Sequence, residues 1–125
     1  VLRKQITFTN ADDEKVTQTF YFNLTEAELA KMQMSTEGGL EKTLKEITET
    51  NNVGRLIELF DRIIFSAYGV KGLDGSFYKN QLQSDIFKAS EAYSVLFLEL
   101  LKDNGKGVEE FIRGLAPKSL VIPTN

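Results

Sequence analysis

The chain has no cysteine and no histidine among its 125 residues, and only two prolines. Without cysteine there is no disulfide framework, and thiols give no reading of the redox compartment. Losing both residue types also removes the commonest acid–base group, the thiol nucleophile and the usual zinc ligands. Carboxylates, lysines, serines and tyrosines could still do chemistry, but each needs a constellation of partners. No apolar run is long enough to span a bilayer and no charged-then-apolar leader opens the chain, so an intracellular protein is expected. A virion component would have the same composition. An excess of positive charge is also missing: net charge is -3 with a pI near 5.0. The basic residues Arg3, Lys4, Lys42, Lys45, Arg55 and Arg62 are dispersed among acidic neighbours, which argues against a partner bound through phosphates.

What is present is the composition of a globular domain, 42% hydrophobic and 26% charged. A chain of this length buries about two-thirds of its unfolded surface. Its first segment, "LRKQITFT", alternates, with Leu2, Lys4, Ile6 and Phe8 on one face. After "NADDEK", the run "VTQTFYF" places Val16, Gln18, Phe20 and Phe22 on one face. Two such runs joined by a polar connection predict a β-hairpin with a bulged loop. A hairpin alone is marginal in water, so its apolar face must find cover.

Helices supply that cover. Thr25 and Glu28 form a capping box, with Leu24 and Leu29 as a hydrophobic staple. Asn23-Leu24-Thr25 also spells a glycosylation acceptor, but the cap explains the same letters. A second helix carries the narrow stripe Leu40, Leu44 and Ile47, with Glu41 and Lys45 in the favourable i,i+4 order. A third buries Val53, Leu56, Ile57, Phe60, Ile63, Ile64 and Ala67, leaving Phe65 among the polar residues on the far side. Asn80 caps a short fourth helix. Ser90 caps a fifth, whose inner stripe is Tyr93, Leu96, Phe97, Leu100 and Leu101 while Val95 and Leu98 fall on the opposite face. "DNGKG" reads as its end and "VEEFIRGL" as a last helix stopped by Pro117. The expected fold is mainly α with a small N-terminal β-hairpin, an α+β arrangement. Its single domain spans residues 1–117, the hairpin at 1–23 and the helical part at 24–117, with a tail at 118–125.

Three glycines in "AYGVKGLDGSFYK" raise the question of a phosphate or cation loop. Their spacing is not that of a P-loop, no Lys-Ser or Lys-Thr follows, and a helix rather than a strand precedes them. Asp74 is the only acidic residue from Tyr68 to Lys79, too few for a calcium loop. The stretch reads as a connector, with Gly69 as a left-handed helix cap and Asp74-Gly75 as a tight turn into an extended "SFYK". "NGKGVEE" fails the phosphate test in the same way. The acidic pairs Glu46 with Glu49 and Glu109 with Glu110 have no nucleophile or metal ligand beside them. No catalytic, cofactor or metal residue is assigned, and the chain is expected not to be an enzyme.

Three blocks in this order carry a resemblance: "TFYFNLTEAELAKMQMSTEGGLEKTLKEI", "LFDRIIFSAYGVKGLDGSFYK" and "SEAYSVLFLELLKD...VEEFIRGLAP". From about residue 16 to residue 117 the chain resembles the tail assembly chaperones of long-tailed, siphovirus-type phages and prophages of Gram-positive bacteria. The match to the family's "AYG-K--DG--F-K" stretch is close, and Asn80-Gln81 departs from a common Ser-Pro helix start. The resemblance implies a non-catalytic protein of the host cell cytoplasm. It would bind the tape measure protein and the tail tube protein during assembly and be absent from the finished particle. In many such phages a ribosomal frameshift produces a longer second form. Phe65, Val95, Leu98 and the cluster Leu120, Val121 and Ile122 are the expected partner-binding residues, and the same patches could support a homo-oligomer. The alternative reading is a structural virion component, a tail completion or connector protein.

Overall fold

The computed structural model of the chain describes residues 1–115. The alternating runs form β1 (Leu2–Thr9) and β2 (Lys15–Phe22), paired antiparallel. Their register sets Leu2 against Phe22, Lys4 against Phe20, Ile6 against Gln18 and Phe8 against Val16. The two predicted apolar faces therefore coincide, and Ile6, Phe20 and Phe22 are buried while Arg3, Gln5, Thr7 and Thr9 are exposed. In the connection, the Asp13 N–H donates to the Asn10 carbonyl (3.0 Å) and the Asn10 N–H to the Glu14 carbonyl (2.9 Å). Asp13 takes left-handed backbone at φ 60°. A tight turn followed by a left-handed residue is the bulged loop that its length predicted.

The helices start where their caps are. In α1 (Glu26–Ser35), Thr25 Oγ1 accepts from the Glu28 N–H (3.1 Å) and Glu28 Oε1 accepts from the Thr25 N–H (2.9 Å). Leu24 and Leu29, the staple pair, are both buried. Helix α2 (Leu40–Thr50) buries its whole stripe, Leu40, Leu44 and Ile47. Glu41 turns to Arg113 (2.9 Å), tying the start of α2 to the last helix among the described residues. Helix α3 (Val53–Ala67) crosses the centre and buries Leu56, Leu59, Phe60, Ile63, Ile64 and Ala67. Val53, expected in the core, is exposed, and Ile57 is half-buried.

The glycine stretch is not a mere connector. It forms β3 (Tyr68–Lys71) and β4 (Phe77–Tyr78), which extend the sheet to four antiparallel strands in the order β1-β2-β3-β4. Gly69 is therefore not a left-handed cap. It lies in the strand opposite Tyr21, where a Cβ would meet the Phe77 ring at 2.6 Å and the Tyr78 carbonyl oxygen at 2.7 Å. Close approach of neighbouring groups, rather than positive φ, requires glycine there. Asp74-Gly75 does turn the chain, with Gly75 at φ 85° and the Asp74 carboxylate accepting from the Ser76 N–H (3.0 Å).

Helix α4 (Gln81–Lys88) is capped by Asn80, whose side chain accepts from the Gln83 N–H (2.9 Å). The following element α5 (Glu91–Leu115) begins under Ser90, and the stop and restart expected at "DNGKG" fall within it. The break signals are still expressed as a bend. Asp103 and Gly105 have left-handed backbone, at φ 55° and 82°. A Cβ on Gly107 would lie 3.0 Å from the Leu100 Cα. Residues seven apart on a straight helix are separated by roughly 10 Å, so the two arms of α5 fold sharply onto each other. The second arm lays Phe111 against Phe22 (5.3 Å between ring centres) and Phe60 (5.9 Å). Phe87 of α4 joins the same cluster, 5.7 Å from Phe22 and stacked on Tyr68 at 4.5 Å. The core is thus an aromatic seam between the sheet and α3, α4 and α5.

Candidate interaction surface

The predicted partner residues take different positions. Phe65 is half-buried and faces Tyr93 of α5, 5.3 Å away, with the Lys88 ammonium 5.3 Å from its ring centre. Its backbone carbonyl accepts from Ser84 Oγ (2.9 Å), the buried polar side chain of α4. Phe65 thus sits where α3, α4 and α5 meet, a position that its place on the polar side of α3 did not suggest. Val95 is half-buried against the core, whereas Leu98 is 63% exposed. Leu120, Val121 and Ile122 lie outside the described residues.

Among the described residues, the other large apolar side chains left exposed are Val1, Met34 and Val53, plus a group of five: Val70, Leu73, Tyr78, Leu82 and Ile86. The group is built by two local rules. In the second hairpin, Val70 pairs with Tyr78, so both side chains share one face of the sheet. Alternation gives that face to Tyr68 as well, whose ring stacks on Phe87 of α4. In α4, Ser84 and Phe87 are buried, so Leu82 (67% exposed) and Ile86 (57%) stand one turn apart on the solvent side, followed by exposed Ala89. Leu73 projects at the hairpin tip. Exposed apolar side chains thus occur both on the second hairpin and on the solvent side of α4.

Polar groups elsewhere are engaged structurally. Burial by itself would raise the Glu28 carboxyl, but Lys79 and Thr25 outweigh it and hold its pKa below the ordinary glutamate value. Lys79 Nζ also donates to the Asn23 carbonyl (2.9 Å), locking β4 to the start of α1. Burial, reinforced by its hydrogen bond to Asp61, pushes the Tyr93 hydroxyl well above its ordinary value. Hydrogen bonds from Ser76 lower the Asp74 carboxyl. Glu41, followed by Glu109, raises Arg113.

A polar cavity of about 500 Å³ between α2 and α3 is lined by Lys42, Glu46, Arg55, Glu58 and Arg62 among others. Charges of both signs alternate around it, so it offers no concentrated field to a charged ligand. A smaller cavity of about 310 Å³ lies by the α5 bend, between Leu56, Asp103 and Lys106. Among the described residues, no group of three or more acidic side chains could hold a metal ion, and no helix is long and apolar enough to cross a membrane.

A family model described as phage tail assembly chaperone matches residues 1–124, nearly the whole chain. The chain belongs to that family. No curated protein and no solved structure matches it. For a tail assembly chaperone, apolar side chains held out in water carry more meaning than the polar cavities. Sequence reasoning placed such side chains on α3, α5 and the tail and missed those on α4 and the second hairpin. The signal was present in "NQLQSDIFKAS". Leu82 and Ile86 at i,i+4 centre on a different line of α4 from Phe87, so a short helix that buries Ser84 and Phe87 turns that pair toward solvent.

Proposed function

We propose that this chaperone acts non-catalytically in the host cytoplasm of a long-tailed phage. It binds the tape measure protein and the tail tube protein while the tail is built and leaves before the particle is complete. The observation that carries this reading is the family match along residues 1–124. The exposed apolar side chains support it, since apolar surface held in water seeks a partner. Net charge of -3 keeps such a surface soluble before a client arrives. We assign residues 1–117 to one domain and 118–125 to a tail, and Leu98 together with the tail cluster Leu120–Ile122 remains a candidate for client or self contact.

Co-expression with the tape measure protein of the same phage tests the reading. The chaperone should raise that protein's soluble yield, and mass spectrometry of finished particles should not detect it. A stoichiometric amount in mature virions would replace the chaperone role with that of a structural tail component.

A further inference from the structure

The turn inside α5 is short and crowded, and the arm that it returns carries part of the core. We propose that two copies of this chain exchange those arms: α5 straightens through residues 103–105, and each second arm, residues 106–115, seats on the other copy. Asp103 and Gly105 reverse the chain with left-handed backbone, at φ 55° and 82°. That conformation is unfavourable for residues other than glycine. Packing tightens the turn further. A Cβ on Gly105 would lie 2.2 Å from Leu56 Cδ2, and one on Gly107 would lie 3.0 Å from the Leu100 Cα. A short hinge under strain is the setting in which an element leaves its own chain for a neighbour's. Both sides of the hinge are helical, so right-handed values at Asp103 and Gly105 would give one continuous helix of 25 residues, about 37 Å long.

Such a helix cannot stay alone. Val108, Phe111, Ile112 and Leu115, all buried on the second arm, would enter water. Phe22 and Phe60, which Phe111 meets, would lose their cover. What fits the vacated slot is the same arm from another copy. Every contact of the arm then forms again between chains: Phe111 on Phe22 and Phe60, Arg113 with Glu41, Gly114 beside Leu2. Shape and charge match because the sequence is the same, which fixes the occupant as a second copy. The single chain and the exchanged pair therefore differ chiefly in the hinge, and concentration sets the balance between them. This exchange needs no client protein, so it stands apart from the chaperone reading.

Hinge variants test it, each refolded from urea over a range of concentrations and followed by sedimentation. Gly105→Ala penalises the turned form through both its backbone and Leu56, and should raise the dimer fraction about ten-fold over wild type. Asp103→Ala penalises the backbone alone and takes its place if Gly105→Ala does not fold. Inserting Gly-Ser-Gly between Asp103 and Asn104 relaxes the hinge and should leave monomer only. A chain that is merely destabilised would not respond in these opposite directions. Because the chain has no cysteine, Glu41→Cys with Arg113→Cys adds its only thiols, placed across the ion pair of arm and body. A short bismaleimide should join two chains in the isolated dimer and close within one chain in the monomer. A dimer whose link closes within each chain would overturn the proposal. So would a dimer fraction in the hinge variants no higher than wild type's, or one that the insertion leaves unchanged.

Discussion

The two hairpins of this protein are built by opposite means. β1–β2 pairs eight residues with eight, and its alternating side chains seal Ile6, Phe20 and Phe22 beneath the helices. β3–β4 pairs only Val70 with Tyr78 and Lys71 with Phe77, and is shaped by glycines and the Asp74 turn. The first hairpin spends its apolar residues on the core, while the second leaves Val70, Leu73 and Tyr78 in water. The contrast suggests a division that experiment can test: the long hairpin as scaffold, and the short one, with α4 beside it, as a presented surface.

The strongest test of the scaffold half is Phe22→Ala. Phe22 is fully buried and meets Phe87, Phe111 and Tyr68, so its truncation should cost about 3–5 kcal/mol by chemical denaturation. Gly69→Ala comes next. The added methyl must push aside the Phe77 ring and the Tyr78 carbonyl, and a loss of roughly 1–3 kcal/mol is expected, together with weaker client binding. A mere connector at this position would tolerate alanine without loss.

Thr25→Ala removes one half of the capping box and should cost about 1 kcal/mol. Its partner Glu28 gives this junction a pH dependence. Because the folded carboxyl titrates below the ordinary glutamate range, its contribution is complete above the pKa of the unfolded chain's glutamate and fades as pH falls through the lowered value. Glu28→Gln should therefore reduce stability at neutral pH and flatten the acid limb of the stability curve. The smallest effect belongs to Leu82→Gln with Ile86→Gln. Both side chains are largely exposed, so thermal stability should shift by no more than about 0.5 kcal/mol while client binding is lost.

Much of the scaffold was legible because one periodicity explained each element. Alternation gave β1 and β2 with the correct shared face, and Leu40, Leu44 and Ile47 gave the buried edge of α2. The caps at Thr25, Asn80 and Ser90 are where their side chains predicted. In the second hairpin the Asp74-Gly75 turn and the extended "SFYK" were legible, but the pairing was not, because its strands are too short to alternate and Gly69 serves packing that only the folded chain displays. Phe65 shows the same limit. Its place on the polar side of α3 was readable, but the arrival of Tyr93 and Lys88 beside it depends on how α4 and α5 return. The bend in α5 lies between these cases: Asp103, Gly105 and Gly107 announced a break, and the fold used it to turn one helix back on itself.

Hydrogen exchange on the chaperone bound to its tape measure protein tests the central claim most directly, because it maps the client's footprint on the native chain. Slowed exchange should appear across residues 70–89, with β1 and β2 unchanged. Protection centred instead on β1 and β2, or no protection anywhere, would contradict the division between scaffold and presented surface.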